Sequence, residues 1–594
     1  MNETVKIASP IEGLGLRFQA PSITVGTEHA VADVMSSDAG IVWNAQAGEV
    51  QLEARLTEGD TANWCLRMVL HNSGTVGAEV RVGWPYLFYH FETTDPVRVF
   101  DPTFGGILEA RTIPIVTDYP GPATFCLTAA AGSAATLAIG LLNPEQRHVE
   151  IRHIPAGQDG QIRFICPRVW VDPGQSVELP EQFIRIGADW GDAFTPYREF
   201  AQAAFPRRRE RPDWLTEGNF TEARKAHCLV PFQPPEAIAG VWIFDNEGCP
   251  RTLEEIKQEI DEAFADGAAN GYTPLFYQFG WWQSMADIRG LFMFDSVCGD
   301  YDRAHDLTKP VIDYIHSRGA RTYLYTNAIS AGDETDVFAR QPELFVRDGA
   351  GAHIRNANYP MYLFCPGAPG LREYWEKVLQ TILIDLDADG IFLDQIGGGT
   401  SPAYCDAPGH RHAHPDTYGA DMVALVDWIA TRARQLKSDC YIGGELVLDS
   451  RSPLLDETHG CGYVKITSTD IRSEIKPPEY YAFVRHLTPQ IFSSVGTLTN
   501  MMQGAIGSHA WPQWRQHRAV LESELTPCET TPVGALAYLF GPVDGEVVLA
   551  VQAAKENTSV NVRLPILFEV EGTREGCVEI FAGSEPVFHR FTLL

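Results

Sequence analysis

Positive charge is what this sequence is short of: 46 Lys and Arg stand against 77 Asp and Glu, a formal net charge of −31 at pH 7. A field of that sign repels phosphate backbones and anionic lipid, so neither nucleic acid nor a membrane surface is expected as a partner. Paired cysteines are missing too. The twelve cysteines are scattered singly from Cys65 to Cys577 without a CxxC, which suits reduced, buried thiols better than a zinc ribbon or a disulfide framework. The opening residues MNETVKIASPIEG carry neither the basic nor the apolar stretch of a secretory signal, and a cytoplasmic location is expected. GGGT at 397–400 is not followed by Lys, ASPIEGLGLRF at 8–18 has no dinucleotide fingerprint, and no G-x-S-x-G elbow occurs. Nucleotide, nicotinamide and serine-hydrolase chemistry therefore lack their residues, and no cofactor is expected.

With 45% hydrophobic and 21% charged residues, the chain of 594 residues reads as globular and long enough for several domains. Residues 1–185 alternate short apolar runs such as VQLEARL, WCLRMVLHN and QIRFICPRVWV with Gly, Pro, Asp and Asn, a period-two pattern that predicts an N-terminal antiparallel β-sandwich. The most apolar window, 123–142, holds small and hydroxylated residues and reads as two buried strands rather than a membrane span. Residues 186–235 are expected to form a linker helix, with Phe194, Tyr197, Phe200, Ala201 and Ala204 on one face, and a basic connection, RRRERPD.

From 236 to 525 the rhythm becomes strand, helix, strand. IAGVWIFDN precedes a helix opened by the capping box Thr252/Glu255, with Leu253, Ile256, Ile260 and Phe264 as its stripe and Gly267 and Gly271 as its end. PLFYQFGWW at 274–282, RTYLYTNAI at 321–329, ADGIFLDQ at 388–395 and CYIGGEL at 440–446 read as strands, with helices near 308–318, 369–386 and 420–437. GYVKIT, AFVRHL and FSSVGTL are taken as later strands. Repeated β-then-α units predict a (β/α)8 TIM-type barrel. Residues 526–594 lose the helical pattern and predict a small C-terminal β-sandwich. The fold class expected is thus multidomain, α/β plus all-β.

Reactive groups in such a barrel sit at the carboxyl ends of strands. Asp394 ends GIFLDQ before three glycines, and Glu445 ends CYIGGEL after two. One carboxylate on each of two successive strands is what glycosidic cleavage needs, one attacking or positioning water and the other protonating the leaving oxygen. Strand ends also supply Trp242, Asp245, Gln278, Trp281, Trp282 and Asn327, aromatic faces and hydroxyl-matching groups that suit a carbohydrate partner. The loop CDAPGHRHAHPDTYG at 405–419 places Cys405, His410, His412 and His414 together. HxHxH in a loop without a CxxC or HExxH partner is a weak metal motif. No metal is expected, and the loop is expected to supply substrate hydrogen-bond donors or an ordered wall packed by Cys405.

The order sandwich, linker helix, barrel and sandwich, with ADWGDAFTPYREFA followed by RPDWL, resembles a group of bacterial glycoside-hydrolase-like proteins related to endo-α-N-acetylgalactosaminidases and α-galactosidase-type barrels. In that group a segment similar to DGIFLDQ is followed by Cys, an HxHP element and a strand ending in Glu, which here are 389–395, Cys405, 412–415 and Glu445. The resemblance implies Asp394 as nucleophile and Glu445 as acid/base of a retaining mechanism, with Gln395, Cys405, His412 and His414 lining the sugar subsite. Asp449, Asp456 and Glu457 stand as alternative proton donors. A non-catalytic carbohydrate-binding protein and a metal-dependent hydrolase using 410–414 are the rival classes. A homo-oligomer is compatible with the sequence.

Overall fold

The structure, a computed structural model, describes residues 4–216, 220–222, 232–233, 249–270, 273–278, 281, 307–356, 361–397, 403–459, 480–491, 525–531, 536–553, 557–564, 577–582 and 587–592, the longer spans with short breaks. The alternating runs of the first 187 residues form two large antiparallel sheets of nine and ten strands. Strand Val50–Glu58 buries every second side chain, as a sheet with one face on the core must. The apolar window forms the hairpin Leu127–Ala131 and Thr136–Leu142, paired antiparallel and buried on both faces. The expected linker helix is two short helices, Trp190–Ala193 and Thr195–Ala204. Ala193, Phe194, Tyr197 and Ala201 pack into the sandwich core, so this segment belongs to the N-terminal unit.

A second core surrounds six strands, all parallel and hydrogen-bonded in chain order: Phe220–Glu222, Thr273–Gln278, Arg321–Asn327, Gly390–Asp394, Tyr441–Glu445 and Glu457–His459. Helices Leu253–Asn270, Thr308–Ser317, Leu371–Gln380 and Tyr418–Leu436 lie in the crossovers between the first five members, one of them in each, while the last two strands are joined by a segment with only a short 3-10 turn, Ser452–Leu454. The capping box is present: Thr252 N donates to Glu255 Oε2 at 2.6 Å and Glu255 N to Thr252 Oγ1 at 3.3 Å. Gly267 does not end that helix, which continues to Asn270. The parallel sheet begins upstream of 236, because Phe220–Glu222 already pairs with Thr273–Gln278. AFVRHL is helical, within Tyr480–Leu487, where Phe483, Val484 and Leu487 spaced three and four apart meet the sandwich core. IAGVWIFDN, GYVKIT and FSSVGTL lie outside the described residues. At the C-terminus a four-stranded and a three-stranded antiparallel sheet enclose a small core around Leu549, Val551, Val560 and Val562. No described helix is long and apolar enough to cross a membrane.

Sandwich and parallel sheet share buried structure. Residues 446–452, directly after Glu445, are buried, and Val447 and Leu448 belong to the sandwich core. Asp449 is fully buried there and accepts from Tyr119 Oη at 2.9 Å and Tyr197 Oη at 2.6 Å. Burial pushes its carboxyl up to about 7 against the pull of those two hydroxyls. Thr124 Oγ1 donates to the Val447 carbonyl at 3.0 Å, and Ser450 Oγ to Gln146 Oε1 at 2.6 Å. Farther along the interface, Arg168 grips Asp406 with two bonds of 2.6 and 3.0 Å, and Arg147 pairs with Asp416 at 2.9 Å.

Tyr197→Phe leaves the buried Asp449 one donor short and the Cys126 amide, which donates to the same hydroxyl at 2.8 Å, without its acceptor, and should lower stability by about 1–3 kcal/mol, read as a lower denaturant midpoint. An unchanged midpoint would show that the hydroxyl does not hold the two units together.

Candidate active site

Strand Gly390–Asp394 is apolar until its last residue, with Ile391, Phe392 and Leu393 buried, so the chain delivers one carboxylate to the sheet's carboxyl edge. Gly390 lets the next strand approach: a Cβ there would lie 2.4 Å from the Tyr441 carbonyl oxygen. The register pairs Ile391 with Ile442, Phe392 with Gly443 and Leu393 with Gly444, which brings Asp394 level with Glu445. On its other side Asp394 is level with Asn327. Both strands stop in a left-handed residue, Gln395 at φ +58° and Leu446 at φ +61°. Gly397 closes the turn, its amide donating to the Glu445 carbonyl at 2.9 Å, and a Cβ on it would meet the Leu446 carbonyl carbon at 2.2 Å.

The two carboxyl groups are near enough that each shifts the acidity of the other. Tyr325 Oη donates to Asp394 Oδ2 at 2.7 Å, and the Gln395 amide donates to Glu445 Oε2 at 3.2 Å. Burial raises Glu445 well above the usual carboxylate range, and the neighbouring Asp394 carboxyl raises it further. Burial also raises Asp394, but Glu445, Tyr325 and the Gln395 amide oppose the rise. Two adjacent carboxyls in a low-dielectric site cannot both ionise easily. Of the two, Glu445 is pushed further toward the protonated form.

The other expected residues sort by what their side chains touch. Asn327 is fully buried, its Oδ1 accepting from the Ile329 and Ser330 amides at 2.9 Å each. Gln395 is buried beneath the pair, its Oε1 accepting from Asn327, Ser330 and Asn356 at 3.4, 3.3 and 3.2 Å. These two residues position the Asp394 turn rather than offer free groups to a sugar. Gln278 is buried and donates to Thr322 Oγ1 at 2.9 Å, and Trp281 is a core residue whose Nε1 donates to the Tyr325 carbonyl at 2.7 Å. Both leave the expected sugar rim, because their polar atoms are satisfied inside the sheet. His414 turns to the sandwich, stacked on Trp170 at 6.4 Å and 3.6 Å from Asp172. Cys405 and His412 join a cluster with Cys365 and His410. Trp242, Asp245 and Trp282 lie outside the described residues.

The alternative proton donors have other duties. Asp449 is held by the two tyrosines, Asp456 takes two 2.7 Å bonds from Arg434, and Glu457 lies 3.5 Å from Arg211. Tyr325 is the site residue that sequence reasoning missed. Its signal was present in RTYLYTN, where it lies two residues before Asn327 on the same strand face.

No protein-family model matches the chain, and no curated protein does. Solved structures do match in fold. The α-N-acetylgalactosaminidase NagBb from Bifidobacterium bifidum superposes with a TM-score of 0.62 at 13% identity, over 92% of this chain and 98% of that one. A single-substitution variant of the GH36 α-galactosidase AgaA from Geobacillus stearothermophilus, in complex with 1-deoxygalactonojirimycin, gives 0.55 at 10% identity over 98% and 87%. A double variant of the same enzyme in complex with raffinose gives 0.55 at 11% over the same shares. At these identities the shared property is the fold.

A carboxylic acid kept protonated at pH 7 has a C=O stretch distinct from carboxylate. Because the buried Asp449 carboxyl, raised to about 7, contributes to the same region, the difference between wild-type and Glu445→Gln infrared spectra is the readout: it should show such a band at pH 7, decaying as pH rises. A difference spectrum without that band would contradict a protonated Glu445.

Proposed function

We propose that this protein is a glycoside hydrolase acting on α-linked oligosaccharides or glycosides. The observation that carries the reading is the level pair Asp394 and Glu445 on adjacent parallel strands, Glu445 the more strongly shifted toward its protonated form, within a fold matching enzymes named as α-galactosidases and an α-N-acetylgalactosaminidase. Six parallel strands in chain order fit part of a closed eight-stranded barrel, whose carboxyl edge is where such enzymes place their chemistry.

In the proposed mechanism the Asp394 carboxylate attacks the anomeric carbon while Glu445 gives its proton to the departing glycosidic oxygen. The bond from C1 to that oxygen breaks as the bond from C1 to Asp394 forms. Water then attacks C1, Glu445 takes the water's proton, and Asp394 is released as carboxylate, so the anomeric configuration is retained. Tyr325 steadies the Asp394 charge before and after each displacement. Retaining pairs flank the sugar at about 5–5.5 Å. Cysteines without disulfides among the described residues fit a reducing compartment, and the enzyme is read as one that finishes oligosaccharides inside the cell.

Asp394→Asn should abolish turnover on α-galactosides and α-N-acetylgalactosaminides while the circular dichroism is unchanged; retained activity would overturn the assignment. Glu445→Gln should cut kcat/KM by about 10²–10⁴-fold on sugar leaving groups, and far less on glycosyl fluorides, whose leaving group needs no proton. Equal losses on both substrates would deny Glu445 the acid role.

A further inference from the structure

Outside the carboxylate pair, the described residues hold one compact set of soft metal-binding atoms. Sγ of Cys365 and Cys405, Nδ1 of His410 and Nε2 of His412 converge so that the ligand atoms lie within 4.8 Å of one another. Cys365 follows strand Met361–Leu363, while the other three come from the loop after Asp394. We propose that Cys365, Cys405, His410 and His412 bind one structural Zn²⁺.

The imidazole orientation supports this most strongly. His410 Nε2 faces the Glu343 carbonyl at 2.9 Å, and His412 Nδ1 faces Asp421 Oδ2 at 2.6 Å. Carbonyl and carboxylate oxygens only accept, so each of those nitrogens carries the proton and donates. In the neutral rings the opposite nitrogens then present lone pairs to the two sulfurs. A zinc-bound histidine characteristically has its second nitrogen held by a carboxylate or backbone carbonyl. Thr417 Oγ1 in turn donates to Asp421 Oδ2 at 2.7 Å.

The spacing fits with a small expansion. Zn–S of about 2.3 Å and Zn–N of about 2.0–2.1 Å in a tetrahedron require sulfur-to-nitrogen edges of roughly 3.5 Å. The measured ones are 2.8 Å for Cys365 to His412, 3.1 Å for Cys365 to His410 and 3.3 Å for Cys405 to His410. Both sulfurs are buried, and His412 lies flat on Gly367, where a Cβ would come within 2.6–2.8 Å of three ring atoms. Two thiolates and two neutral imidazoles neutralise a divalent ion, releasing two protons on binding. Four protein ligands leave no open position for water, so the ion fastens the loop instead of activating a nucleophile. That loop carries Asp406 and Asp416, which engage Arg168 and Arg147 of the sandwich.

The test is elemental analysis of the full chain produced with added zinc and passed through gel filtration. About one zinc per chain is expected, falling below about a tenth in Cys405→Ser and His412→Ala. Cobalt(II) loaded into chelator-treated wild type should give tetrahedral visible bands and thiolate-to-cobalt charge transfer, a readout that survives if either variant fails to fold. Folded wild type without zinc and without the cobalt bands would overturn the proposal. So would a Cys365–Cys405 disulfide found by non-reducing peptide mapping.

Discussion

Two carboxyl groups side by side at the carboxyl edge of a buried parallel sheet can carry only one negative charge at low cost. That constraint organises the site. The register of two neighbouring strands sets the groups level, Gly390 allows the backbones to close up, and the left-handed Gln395 turns its amide onto Glu445. Tyr325 then distinguishes the two, because its hydroxyl donates to Asp394 and so favours the ionised form there. Two residues of similar intrinsic acidity are thereby made unequal, Glu445 being shifted the further.

The sandwich has a share in this arrangement. The strand that ends in Glu445 runs straight into residues buried in the sandwich core, so Glu445 is anchored on one side by its strand and on the other by Val447, Leu448 and the Asp449 clamp. The loop after Asp394 is tied to the same domain through Arg168 and Arg147. Both carboxylates therefore sit on backbone whose exits are fixed by a separate unit. Such rigid support holds a reacting geometry better than free loops would.

Local patterns carried much of this into the sequence. Apolar runs that end in a single acid exposed Asp394 and Glu445, since a carboxylate closing a buried strand has no packing reason to be there. The Thr252/Glu255 capping box and the apolar hairpin of 123–142 were legible for the same reason, each being a contact between near neighbours. What depended on distant contacts was not. Trp281 and Gln278 read as rim residues until their partners, the Tyr325 carbonyl and Thr322, placed them in the interior. AFVRHL alternates well enough for a strand, yet its apolar residues serve a helix face against the sandwich. Cys365 gave no sign of belonging with the histidine loop, because it lies forty residues before Cys405 and only the fold brings them together.

The most direct test of the central claim is covalent trapping. A fluorinated α-glycosyl fluoride, whose second displacement is slow, should accumulate the glycosyl-enzyme, and peptide mass spectrometry should find the sugar on Asp394. Label on another carboxylate, or turnover of the reagent with release of fluoride and no labelled peptide at any time, would contradict Asp394 as the nucleophile of a retaining enzyme.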